Sequence, residues 1–286
     1  MLGNPIMGAA LICFLLGLAL SGLARLAPTT AVPSLVSPAI FLMSYLLAYQ
    51  QVPPFPPIGA TGKIFYIALG ATLVGFILDL LAIRRLDRVL ALIVPGLIAG
   101  WIGLPRFTSG DLDVVATASA LWFGGSAVLW RLDAVSKAPT ECNGGSVVGT
   151  AMLMSLMLGF APVALLGGSS TSAMLCFAAV AGLGAVAIWE LAFPREALCT
   201  SSFLGAGSGF LAVVCTVTLI TQQIDLAALA LLLLIPYMGQ VGAWLLLPPN
   251  RIRGRVRQVL VGLIAASPVV VVTAILLVRH PDSFVQ

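Results

Sequence analysis

The chain has 286 residues, of which 60% are hydrophobic and 8% charged, with a formal net charge of +4. A soluble domain carries about 25% charged residues, and a water-soluble core needs roughly 40 residues, which no stretch between apolar runs here supplies. The composition therefore sets aside a soluble enzyme on an anchor, and because the basic residues sit in short caps between apolar runs, it sets aside nucleic acid as a partner as well.

A membrane span takes about 20 predominantly apolar residues. Reading to that length predicts ten helices near residues 7–25, 31–50, 64–83, 89–105, 112–130, 146–167, 171–191, 201–221, 225–247 and 258–278. The runs are continuous, whereas β-barrel strands alternate over about 10 residues. The expected fold is an all-α polytopic transmembrane bundle forming a single domain over 1–286.

Met1 to Pro5 place no positive charge ahead of the first run and Arg25 follows it, the reverse of a signal peptide's charge order, so the first helix is expected to be kept. The second run holds Pro33 and Pro38 and leads into QVPPFPPIGATGK, Gln51 to Lys63, with four prolines in the five positions from Pro53 to Pro57. Such a stretch runs as extended backbone. It reads first as a rigid connector and second as a docking or pore-mouth element. Asp79 closes the third run in FILDLL. The fourth carries Pro95 and Gly96, then Gly100 and Trp101, and the fifth holds Gly124, Gly125 and Ser126.

Glu190 ends the seventh run beside Trp189. The eighth has Gly205 to Gly209, and Gly205/Gly209 and Gly96/Gly100 each form G-x-x-x-G, a spacing that lets helix backbones approach closely. The ninth reads LIPYMGQVGAW, with Pro236, Tyr237 and Gln240. Before the tenth stands RIRGRVR, whose Arg251, Arg253, Arg255 and Arg257 suit anionic lipid headgroups and anchor the topology.

Eleven Lys and Arg fall on one side of this arrangement (Arg25, Arg84, Arg85, Arg88, Arg131, Lys137, Arg195 and the last cluster) and three on the other, Lys63, Arg106 and Arg279. Short cytoplasmic loops retain positive charge. The split predicts a bacterial inner-membrane protein with both termini on the non-cytoplasmic side.

Candidate sites follow from what is costly at bilayer depth. Asp79 and Glu190 are ionisable and each stands about five residues from a loop arginine, so a structural role competes with a proton- or cation-linked one. If the ten helices divide into two inverted halves of five, the fourth and ninth correspond, and paired Pro/Gly-broken helices in such halves point to a substrate site. That reasoning selects Pro95, Gly96, Tyr237 and Gln240. No cofactor or metal is expected: Cys13, Cys142, Cys176, Cys199 and Cys215 form no C-x-x-C pair, and His280 is the single histidine. Motifs of hydrolases, nucleotide binders and metalloproteases are absent, so no catalysis is expected. The leading expectation is a small permease for a small neutral or weakly polar solute. The alternative is a non-catalytic subunit or assembly factor packing against a membrane-protein partner or a second copy, and an enzyme acting on lipid ranks third.

Overall fold

An apolar run has few stable forms in a hydrocarbon layer, and a helix is the one that answers its own backbone hydrogen bonds. The computed structural model describes residues 5–26, 31–81, 86–107, 112–136, 146–193, 200–221, 224–238, 241 and 254–279, and the regular elements among them are all helical. In chain order they are α1 (Pro5–Ala24), α2 (Ala31–Ser34), α3 (Val36–Tyr49), α4 (Ala60–Leu81), α5 (Leu86–Phe107), α6 (Leu112–Ser136), α7 (Ser146–Leu166), α8 (Ser170–Ala192), α9 (Thr200–Thr221), α10 (Leu226–Leu232) and α11 (Gly254–Arg279). Nine spans among the described residues are long and apolar enough to cross a membrane, with α2 and α3 together supplying Val32–Tyr49. The protein is a multi-pass, all-α membrane bundle.

The predicted ninth span is the exception. Its described part is α10, a bend at Leu233 and Leu234, and one further helical turn over 235–238. The Leu233 and Leu234 amides reach back only three residues, to Ala230 O at 3.2 Å and Leu231 O at 3.1 Å. Pro236 has no N–H to offer the Leu232 carbonyl, so the regular ladder cannot continue there.

The other prolines inside the described helices do not break them, and for Pro38, Pro105 and Pro268 a side chain shows why. A proline leaves the carbonyl four residues earlier without its usual donor. For Pro38 that carbonyl is Ser34 O, which accepts the Ser202 hydroxyl at 2.6 Å. For Pro105 it is Trp101 O, which accepts the buried Lys63 ammonium at 2.7 Å. For Pro268 it is Ile264 O, which accepts the Ser267 hydroxyl at 2.8 Å. Beside Pro95, Leu92 O accepts both Trp122 Nε1 at 2.8 Å and the Ser126 hydroxyl at 3.2 Å. The interruption expected at Pro95 and Gly96 is absent: α5 runs as one helix through both of its prolines.

The bundle is organised around α9, which is buried from Thr200 to Leu219 and packs against α4, α5, α6 and α3. Small residues make this crowding geometrically feasible. A Cβ placed on Gly75 of α4 would stand 2.6 Å from Ser201 Cα, and one on Gly205 would collide with the Thr72 hydroxyl and the Pro38 ring. A two-fold relating the first five spans to the last five would map α4 onto α9 and α3 onto α8, and both pairs pack. It would also map the α1–α8 interface onto an α7–α3 one, and no comparable interface forms there among the described residues.

Cross-links identify the two ends of the bundle. At one end Asp79 of α4 binds the start of α9, Arg25 after α1 binds the carbonyls of Trp189 and Phe193 at the end of α8, and Arg131 of α6 reaches Pro236 O at 3.4 Å. At the other end Lys63 meets Trp101, Arg106 binds Ile220 O at 2.8 Å, and Arg279 pairs with Asp225 at 2.6 Å. The last contact brings the start of the broken span and the end of α11 to the same end. Among the described residues, Arg25 and Arg131 thus stand at one end of the bundle and Lys63, Arg106 and Arg279 at the other, the division read from the sequence.

Candidate functional site

The residues selected from the sequence divide between packing and the edge of the bundle. Gly96 is a cradle for an indole: a Cβ there would stand 2.9 Å from Trp122 Nε1. Pro95 is buried and meets Gly125 of α6, where a Cβ would lie 3.0 Å from the proline ring. Tyr237 is exposed on the turn beyond the bend, and Gln240 lies outside the described residues. Neither Pro95 nor Tyr237 lines the cavities between α6, α9 and α10.

Asp79 does structural work visible in its geometry. Its carboxylate accepts the Thr200 amide at 2.7 Å, the Ser201 amide at 2.9 Å and the Ser201 hydroxyl at 2.7 Å, capping α9 from a neighbouring helix. A negative charge suits a helix N-terminus, where the first amides lack partners within the helix. Glu190 is buried at the matching end of α8, beside Trp189, whose ring lies 5.3 Å from the Arg25 guanidinium. Arg251 and Arg253 lie outside the described residues, while Arg255 and Arg257 fall in the first turn of α11.

Two cavities that the sequence reading did not foresee lie between α6, α9 and α10. The larger, about 380 Å³, is walled by Ala120, Gly124 and Gly125 of α6, Phe210 and Val214 of α9, and Leu233 at the bend. The smaller, about 240 Å³, lies toward the arginine-poor end against Asp113, Thr117, Thr218 and Ile224. The two share Thr117, Thr218 and Leu226 and so adjoin end to end.

The space has a compositional cause. Ala116, Ala120 and Gly124 recur every four residues and therefore share one face of α6, while α10 presents Ala230 to the same space. Short side chains on both walls leave the volume unfilled, and α6 and α10 form no helix–helix interface with each other among the described residues. Ala116, Ala120 and Ala230 are exposed, so the slot also opens sideways. The stripe at four-residue spacing is the signal that could have revealed it; attention to Gly124 and Gly125 alone caught its lower edge.

Polar groups are few and confined to one end. Cys215, Thr117, Thr218 and Asp113 are the polar side chains lining the two cavities among the described residues. Thr218 is buried and its hydroxyl has no partner among those residues. Toward the arginine-rich end the path is closed by Leu156, Leu232 and Leu233, beyond which Arg131 contacts Pro236 O. A volume of several hundred Å³ with apolar walls and a few polar groups is typical of a small-molecule site. No family model matches the chain, and no curated protein matches it in sequence.

Proposed function

We propose that this protein is a small permease of a bacterial inner membrane, with both termini outside the cytoplasm, that moves a small solute along the path between α6, α9 and α10. The observation that carries this reading is the adjoining pair of cavities, which extend from Asp113 near the arginine-poor end to Val128 and Leu156 inside the bundle. The closing element is the broken span: α10 has seven residues, the chain bends at Leu233 and Leu234, and the turn beyond it accepts a long hydrogen bond from Arg131 at Pro236 O. A bend of that kind is where a short helix can swing while longer helices stay packed. The apolar walls shift the expected solute from a weakly polar one to one with a mainly apolar body. The eleven-to-three distribution of basic residues supports the orientation.

A second reading, a non-catalytic subunit docking on a partner, draws support from the proline loop at the arginine-poor end. Tyr66 donates to Pro53 O at 2.8 Å and stiffens a loop that exposes Val52, Phe55 and Ile58.

Single cysteines at Thr117 and Val128, in a chain otherwise freed of cysteine, separate the two. With a membrane-impermeant thiosulfonate, Thr117→Cys is expected to react in intact cells, and Val128→Cys in inside-out vesicles as the closed end opens. Reaction of Thr117→Cys alone would show a static closed base and favour the subunit reading. Reaction of Thr117→Cys only in inverted vesicles would reverse the orientation.

A further inference from the structure

We infer that the solute is a single-chain amphiphile with a cationic head, its tail in the larger cavity and its head at the smaller one. This rests on the transport reading of the same path. The larger cavity has walls of alanine, glycine, leucine and phenylalanine, and its exposed edge at Ala116, Ala120 and Ala230 faces sideways between α6 and α10. At membrane depth such a slot suits an apolar occupant better than water, because apolar walls give water few partners. A solute entering there needs an apolar body, and the slot's open side admits one from the bilayer.

The other end sets the head group. Around the arginine-poor mouth the described arginines are already engaged: Arg279 pairs with Asp225, and Arg106 donates to Ile220 O. Asp113, in the first turn of α6, lines the smaller cavity and has no partner among the described residues. Thr218, at the junction of the two cavities, brings a buried hydroxyl whose hydrogen-bonding capacity is unused among those residues. Apolar slot, unused hydroxyl and unpaired carboxylate follow one another along the path in the order tail, linkage and cationic head.

The test is equilibrium binding of radiolabelled dodecyltrimethylammonium and dodecyl sulfate, below micelle formation, to the full chain in lipid nanodiscs, with empty nanodiscs subtracted. The ammonium compound is expected to bind about fivefold more tightly than the sulfate, the scale of one partly exposed charge pair. Asp113→Asn is expected to remove that preference, and Ala120→Phe, which fills the slot, to weaken both compounds. Ala116→Phe serves as a second filler should the first not assemble. Binding of the ammonium compound that neither Asp113→Asn nor either filler changes would be partition into lipid and would overturn the proposal. If the fillers act on both compounds while Asp113→Asn changes nothing, the cationic head is overturned. Should access from both faces be seen at Thr117→Cys and Val128→Cys while these binding changes fail, the ligand class falls and transport stands; the reverse pattern sinks transport and leaves a ligand site.

Discussion

Replacing Asp79 by alanine is expected to destabilise the bundle by about 3 kcal/mol, the sum of a lost helix cap and lost hydrogen bonds to a charged acceptor. The variant strands two amides and a hydroxyl at the start of α9, the helix with the longest buried stretch. Water cannot easily replace the carboxylate, since a Cβ on neighbouring Gly75 would already meet the Ser201 backbone at 2.6 Å. Asp79→Asn keeps the oxygen that faces Thr200 or Ser201 and loses the charge, so an intermediate loss of about 1 to 2 kcal/mol is expected. Unfolding of the purified variants in mixed micelles with increasing dodecyl sulfate measures both. An unshifted midpoint for Asp79→Ala would show that the cap contributes little and would return Asp79 to the list of proton-linked carboxylates.

Adding a side chain at Gly209 is expected to be as damaging. A Cβ there would collide with the Phe41 ring, with Cδ1 at 2.7 Å and Cζ at 2.8 Å, and Phe41 is itself fully buried. Gly209→Leu must push α9 away from α3, a cost of about 3 kcal/mol, toward the upper end for overpacked cores. Gly100, the second glycine of the other G-x-x-x-G pair, has open space around its Cβ position. Gly100→Ala is expected to leave stability unchanged or slightly raised, because alanine is the better helix former. The same thermal or dodecyl sulfate titration compares the pair. Equal losses at Gly209 and Gly100 would contradict the packing described.

These two glycine pairs show how far the sequence can be read. The spacing that permits close approach is identical in both, but Gly205 and Gly209 both face neighbouring helices whereas Gly100, unlike Gly96, does not, which one-dimensional periodicity cannot reveal. The spans themselves were legible because about 20 apolar residues in a row have one economical form in a bilayer. Their ends were less so. The third span was expected from residue 64, after a charge, whereas α4 begins at Ala60 because Lys63 is buried on the Trp101 carbonyl that Pro105 leaves without a donor. Pro95 misled in a related way. α5 nonetheless runs through it, with Trp122 and Ser126 of α6, some thirty residues along the chain, bonded to Leu92 O just before it. Pro236 did mark a real break: among the described residues no side chain answers the Leu232 carbonyl as one does at Pro38, Pro105 and Pro268, and the chain bends at Leu233 and Leu234.

The candidate site was the least legible part. The cavities are volumes between α6, α9 and α10, and a volume is specified by what three helices jointly fail to fill. Glycine at 124 and 125 pointed to one edge. Asp113 and Thr218 carried no signal alone: an acidic residue in a first turn and a threonine in an apolar run are both ordinary. Only their convergence on Thr117 and Leu226 gives them a shared setting.

The central claim is that the slot between α6 and α10 opens and closes. Spin labels at Ala116→Cys and Ala227→Cys, on the two sides of the arginine-poor mouth, report its width directly by double electron–electron resonance in nanodiscs. The account predicts two distance populations, with the shorter one gaining weight when dodecyltrimethylammonium is bound. A single narrow population, unchanged by that compound, would contradict it and leave a rigid bundle with an unfilled groove.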